Sequence, residues 1–192
     1  MRVLGIMGSP RVGGNTDLLL DEAMKGARSQ GAEMEKIIVD KLQIAPCREY
    51  HGCLKDGNCI IRDDMDAVYP KLLEADGLIV ASPMFFYGIT SQLKALIDRC
   101  QALWARKYVL KQSCPNPNRK GAFIAVGATK GENLFDGSIL TIRYFFKTIS
   151  VQYTEDLLVR GVDKNGEIKK HPTALKDAFE LGKRLAQKAD KV

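Results

Sequence analysis

The stretch GSPRVGGNT, Gly8 to Thr16, gathers four glycines or prolines, two hydroxyls, an amide and one fixed positive charge. An apolar run, RVLGIM, precedes it, and a helix-forming pattern follows. A glycine-rich turn between a strand and a helix aims backbone N–H groups and the positive helix end at one point, which favours an anion. The stretch has neither the G-x-x-x-x-G-K-[ST] of a nucleoside-triphosphate loop nor the G-x-G-x-x-G of a dinucleotide fold. It also lacks the cysteine of a Cys-x5-Arg phosphatase loop. A terminal phosphate remains. The Ser9 and Thr16 hydroxyls, the Arg11 guanidinium and the Asn15 amide are its candidate ligands, with Gly13 and Gly14 permitting close backbone approach. Simple helix capping by Asn15 or Thr16 is the plainer alternative, but capping requires neither Arg11 nor the Ser-Pro before it.

Three other stretches carry chemistry-bearing residues. SPMFFYGIT, Ser82 to Thr90, places Pro83, Met84, Phe85, Phe86, Tyr87 and Gly88 in a connection between elements. An apolar, aromatic loop there suits a pocket for a flat ring, or else packs on the core or on another subunit. VGATKGENLFDG, Val126 to Gly137, offers Gly127, Ala128, Thr129 and Gly131 as a further backbone wall. CREYHGCLKDGNC holds Cys47, Cys53 and Cys59, while Cys100 and Cys114 stand apart. Five cysteines without an export signal argue against a disulfide framework and leave metal binding, redox chemistry and burial open. Cys100 falls on the apolar side of a helix and reads as core. Asp98-Arg99 reads as a helix-surface ion pair without a chemical role, and His171 as a loop residue.

The elements that must position these residues alternate. Strands are expected at 2–7, 34–40, 77–82, 122–128 and 151–161. Helices are expected at 15–29, 63–75, through the stripe Leu93, Leu96, Ile97, Cys100 and Trp104, and at 137–149 and 173–188. Lys41 to Arg62 reads as a cysteine-bearing loop, too polar and glycine-rich for a regular element, and Pro115-Asn116-Pro117-Asn118 as a surface loop. Such alternation predicts an α/β fold with a flavodoxin-like, doubly wound, five-stranded parallel sheet of order 2-1-3-4-5.

The 192 residues, 45% hydrophobic and 27% charged, suit one globular domain over 1–192, with the cysteine-bearing loop inside it. No apolar run reaches the roughly 20 residues of a membrane span, and MRVLGIMGSP is no signal peptide. The expected location is the cytoplasm. The net charge of +6 is spread along the chain rather than clustered with aromatics, so neither nucleic acid nor membrane is expected as a partner. Lys183, Arg184 and Lys188 read as a solvated helix face. A positive field also recruits anionic ligands.

In a doubly wound sheet, ligands sit beyond the carboxyl ends of the strands, at the switch point between strands 1 and 3. A terminal phosphate and a flat ring at that point mean FMN. With this, GSPRVGGNT (8–16), IAPC (44–47) leading to Asp63-Asp64-Met65, EADGLIVASPMFFYGITSQLKALIDR (74–99) and GATKGEN (127–133) make the chain resemble the NADPH-dependent FMN reductase and iron–sulfur flavoprotein families. The resemblance implies that Ser9, Arg11, Asn15 and Thr16 hold the FMN phosphate and that Pro83–Gly88 flank the ring. It further implies NADPH or NADH as reductant, a small-molecule electron acceptor and a homodimer or homotetramer.

Iron–sulfur members carry a compact C-x2-C-x2-C motif and a fourth cysteine before Asp-Asp-Met. Here Tyr50 occupies the second cysteine position, leaving Cys47, Cys53 and Cys59 as candidate metal ligands. A [4Fe-4S] cluster normally takes four thiolates. His51 or Cys114 would have to complete the set, and the same residues with His51 match no structural-zinc spacing. The expectation is a lid loop near the flavin, its cysteines free or occasionally oxidised. The chemistry expected is hydride transfer from NAD(P)H through FMN to a flavin, quinone, nitro or azo compound or metal ion, with no catalytic side chain required. The alternative is an electron carrier between protein partners.

Overall fold

The computed structural model describes residues 1–114, 116 and 118–187. Pro115 and Pro117 of the expected surface loop, and Lys188 of the last helix, lie outside the described residues.

Five strands, β1 (Arg2–Met7), β2 (Glu33–Ile38), β3 (Gly77–Pro83), β4 (Arg119–Gly127) and β5 (Val151–Arg160), form one parallel sheet of order β2-β1-β3-β4-β5. Their helices are α1 (Asn15–Ser29), α2 (Cys53–Asp56), α3 (Met65–Glu74), α4 (Ser91–Arg99), α5 (Gln101–Trp104), α6 (Asp136–Thr148) and α7 (Ala174–Ala186). The expected fold and strand order are those observed. The central strands are apolar on both faces because helices cover both. Leu4, Ile6, Leu78, Val80, Phe123 and Ala125 join the core under α3, α4 and α6. Their alternates Val3, Met7, Ile79, Ala81, Ala122 and Ile124 join the core under α1 and α7. β5, at the edge, alternates buried and exposed positions instead.

Two departures have local causes. The stripe ending at Trp104 does not stay one helix: it breaks at Cys100 and continues as α5 and a π-helical turn over Ala105–Val109. Trp104 is left partly exposed rather than in the core. Within the cysteine-bearing loop a single helical turn, α2, forms and closes on Gly57, whose φ of +80° only glycine adopts at low cost.

α1 and α7 touch backbone to backbone. A Cβ on Gly182 would stand 1.7 Å from the Ala23 carbonyl oxygen, and one on Gly26 would stand 1.9 Å from that of Phe179. No other residue type fits at either crossing point.

Candidate functional site

β1 delivers the chain to the switch point, where the first loop packs tightly on β3. Gly8 N–H donates to the Ala81 carbonyl at 2.8 Å, and a Cβ on Gly8 would meet Leu93 Cδ2 at 2.8 Å. Ser9 Oγ accepts from Arg11 N–H at 3.1 Å. Gly13, at φ +75°, donates to the Asp17 carboxylate at 2.8 Å. Gly14 is the N-cap of α1, with no side chain capping the helix, so neither Asn15 nor Thr16 performs that task. The first-turn N–H groups of α1 have no acceptor inside the helix. Ser9 and Thr16 are buried beside them, and Arg11 is exposed with no carboxylate at ion-pair distance among the described residues.

Asn15 points elsewhere. Its Nδ2 donates to the Lys164 carbonyl at 2.9 Å, and its Oδ1 accepts from Ile168 N–H at 3.2 Å. The amide thereby fastens the segment after β5 against the start of α1.

β3 supplies the second wall. Phe85 and Gly88 exchange backbone hydrogen bonds of 2.9 and 3.0 Å across a tight turn. The two residues between them, Phe86 and Tyr87, both have positive φ, +50° and +61°. Such a mirror-image turn ordinarily takes Asn-Gly, so two bulky aromatics hold it under strain. Phe86 is fully exposed, while Tyr87 packs on Gly131, where a Cβ would lie 2.4 Å from the phenol oxygen.

A pair of fully buried hydroxyls joins the two walls. Thr90 Oγ1 donates to the Gly8 carbonyl at 2.6 Å and accepts from Leu93 N–H at 3.3 Å as N-cap of α4. Ser82 Oγ accepts from Thr90 N–H at 3.2 Å.

One recess at the strand ends brings together Ser9, Arg11, Gly14, Asn15 and Thr16 with Pro83, Met84, Phe85 and Ala128. Phe86, Tyr87, Gly88, Gly127 and Thr129 do not line it. Phe86 and Thr129 are turned to solvent, and Gly127 is pressed against Leu134, where a Cβ would clash at 2.4 Å. Asp163 and Asn165, after β5, complete the lining. Sequence reading missed them, although GVDKNG follows a strand on the same edge of the sheet. It also missed the Ser82–Thr90 bridge, which only the register of β1 beside β3 creates.

The cysteine-bearing loop forms a separate and larger recess of about 570 Å³ against α4, α5 and α6. Cys47, Cys53 and Cys59 all line it, with His51, Trp104 and Tyr144. Among the described residues, no three His, Cys, Asp or Glu side chains are grouped so as to hold a metal ion. The arrangement thus does not form the ligand set of a cluster, and no step is derived through one. Cys114 lies in another recess, next to Arg119. Burial pushes the Cys53 thiol up from its ordinary range, with the neighbouring Cys59 adding to the effect.

Arg99 is not the surface residue its neighbour Asp98 suggests. Asp98 pairs with Lys94 in solvent, whereas Arg99 is buried and pairs with Asp63. The guanidinium also donates to the carbonyls of Ala45 at 2.9 Å and Ile61 at 3.0 Å, the two ends of the cysteine-bearing loop. Burial alone would raise the Asp63 pKa. The hydrogen bonds from Arg99 and from the amides of Ala45 and Met65 outweigh it and hold the carboxyl below the ordinary aspartate range. Farther along, Arg106 donates to the Gly57 carbonyl and the Asn58 side chain, both at 2.8 Å. Two arginines therefore fix the loop.

A parallel doubly wound sheet with an anion-suited loop and an apolar loop at its switch point defines a flavodoxin-like α/β protein. The family model described as NADPH-dependent FMN reductase matches residues 1–135, and the chain belongs to that family of FMN-using oxidoreductases. An iron–sulfur flavoprotein of Methanocaldococcus jannaschii is 35% identical over 194 residues, covering 97% of this chain and 96% of the relative. An iron–sulfur flavoprotein of Methanosarcina thermophila is 36% identical over 130 residues, 68% of this chain and 65% of that protein. Among solved structures, an NAD(P)H:quinone oxidoreductase from Methanothermobacter marburgensis superposes with a TM-score of 0.76 at 15% identity, covering 100% of this chain and 99% of that one. No helix of the described residues is long and apolar enough to cross a membrane.

Proposed function

We propose that the chain works as one FMN-binding domain over residues 1–192, passing electrons from NADPH or NADH to a small acceptor such as a flavin, quinone, nitro or azo compound or metal ion. The observation that carries this reading is the hydroxyl bridge from Thr90 to Gly8, which ties an anion-suited loop to an apolar loop in one recess. The residues present fit FMN. Ser9 and Thr16 offer buried hydroxyls, the first turn of α1 offers N–H donors, and Arg11 offers an uncommitted charge to the phosphate. Pro83, Met84, Phe85 and Ala128 offer the apolar surface that a flat ring requires.

When bound, FMN supplies the hydride-accepting and electron-donating chemistry. The chain's own part is to orient it. Asn15 holds the segment bearing Asp163 and Asn165 at the rim, Met84 N–H donates to the Val126 carbonyl at 2.8 Å to fix the ring wall, and the exposed Phe86, outside the recess on the same turn, offers an aromatic face to a second flat molecule. Phe86, Tyr87 and the exposed Tyr144 and Leu140 on α6 suit contact with another copy of the chain in a homodimer or homotetramer. The acceptor is taken to be small, as the quinone in the name of the Methanothermobacter marburgensis neighbour is, and the working location is taken to be the cytoplasm.

Electron carriage between protein partners is the second reading, favoured by the iron–sulfur relatives. Anaerobic absorption spectroscopy separates the two. The enzyme reading expects a two-banded yellow spectrum that bleaches rapidly with NADPH and weakens in Arg11→Ala at limiting FMN. A brown shoulder that bleaches only with a reduced protein donor would favour the carrier. A protein that stays colourless with added FMN would overturn both.

A further inference from the structure

Two arginines of this fold are fully buried, and they are compensated differently. Arg99 has the Asp63 carboxylate. Arg119, the first residue of β4, has no carboxylate at ion-pair distance among the described residues. Its Nη1 donates to the Leu72 carbonyl at 2.5 Å and the Leu73 carbonyl at 3.3 Å, at the end of α3. Its Nη2 donates to the Ile149 carbonyl after α6 and faces Cys114 Sγ at 3.7 Å. Its Nε–H is buried without any acceptor. Helix C-termini carry only partial negative charge, so this cation lacks a full counter-charge. Burial accordingly pulls the Arg119 pKa down, and the Cys114 thiol is the foremost group opposing that shift, ahead of Asp76.

Cys114 itself is half-buried and opens onto a shallow recess with Lys107, Lys147, Gln112 and Gln152. As a thiol its Sγ–H points to the Asn116 carbonyl at 3.3 Å, and Asn116 in turn donates to Asp76 at 2.9 Å. The recess lies at the amino ends of the strands, away from the carboxyl-end site described above. A sulfur that can carry charge, a buried cation short of an anion, and a rim of two lysines make a coherent set. The lysine charges, Lys147 exposed and Lys107 half-buried with its ammonium on the Lys147 carbonyl, attract an anion, and the guanidinium stands 3.7 Å from the sulfur.

We propose that Cys114 is a thiol-modification site for an anionic, low-molecular-weight disulfide, with Arg119 stabilising the attacking thiolate. The thiol proton leaves to solvent, and the thiolate attacks one sulfur of the disulfide. A protein–S–S–R bond forms while the R–S–S–R bond breaks. The departing thiolate takes up a proton from solvent, so the disulfide is the oxidant and no other is needed. The step does not depend on bound FMN.

The test uses dithiobis(nitrobenzoate), a dianionic disulfide, beside neutral dithiodipyridine, on the intact native chain. The expected result is one fast equivalent of released thiolate that maps to Cys114. It disappears in Cys114→Ser and persists when Cys47, Cys53 and Cys59 are all changed to serine. The anionic probe should outpace the neutral one by about tenfold relative to their rates with the urea-unfolded chain. That advantage should shrink with salt and in Lys147→Gln, whose side chain is exposed. Arg119→Gln should slow the fast equivalent without moving it to another cysteine. A fast equivalent that maps to the cysteine-bearing loop, or a Cys114 that shows no preference for the anionic probe, would overturn the proposal.

Discussion

Replacing Arg99 with methionine should loosen the cysteine-bearing loop and lower global stability by a calculable amount. The substitution keeps a long unbranched side chain but removes the donors to Asp63, Ala45 and Ile61. Breaking a buried ion pair by deleting one partner costs about 3–5 kcal/mol. Asp63 is 12% exposed and keeps two backbone donors, Ala45 N–H at 2.9 Å and Met65 N–H at 3.0 Å, which argues for the low end. Two carbonyls losing their donors add about 1 kcal/mol between them once water reaches the loop. The sum, about 4 kcal/mol, corresponds to a fall in Tm of about 8–16 °C for a chain of this size. The assay is thermal unfolding paired with limited trypsin digestion, because Arg48 and Lys55 lie within the clamped segment. Cuts at those two sites should appear well below the global transition. If Arg99→Met shifts Tm by less than about 1 °C and leaves digestion at Arg48 unchanged, the guanidinium is not the clamp and the reasoning fails.

The same pair sets a pH dependence. Asp63 has a depressed folded pKa, so its contribution is fully present above the unfolded value near ~4 and is lost as pH falls through the folded value. Urea midpoints should drop over that acid window, and Asp63→Asn should flatten the drop. Phe86→Asn should relieve about 1 kcal/mol of strain in the mirror-image turn and raise Tm by about 2–4 °C while slowing NADPH oxidation; equal or lower thermal stability would show that the turn is not strained. Gly182→Ala, whose Cβ would meet the Ala23 carbonyl at 1.7 Å, should destabilise by about 3 kcal/mol. It should also weaken FMN retention if the loop leading into α1 holds the phosphate as proposed. Arg11→Ala should weaken FMN by about 10–100-fold with little change in apoprotein Tm, measured by fluorescence titration.

The sheet and its order were legible because each element announces itself over many residues. GLIVAS and AFIAVGA are continuous apolar runs, and the helices between them keep a 3.6-residue period. The proposed phosphate loop stood out for a different reason: its candidate ligand types are adjacent in sequence. What escaped was whatever the fold assembles from distant parts. Thr90 meets Gly8 across 82 residues, Asn15 meets Ile168 across 153, and Arg99 meets Ile61 across 38. Arg99 next to Asp98 looks like a surface pair, but it lies on the buried side of α4 with Leu96 and meets Asp63 across 36 residues. Phe86 and Tyr87 were recognised as loop aromatics, but only backbone angles reveal that they are presented under strain.

The glycine crossing of α1 and α7, together with the Asn15 bracket to Lys164 and Ile168, also dictates when the site can exist during synthesis. The proposed phosphate loop leaves the ribosome before the helix that braces α1 and before the segment that Asn15 fastens. Nascent chains that end before residue 174 therefore carry the loop without its brace. On the proposed reading, flavin is expected to load only after α7 has docked on α1.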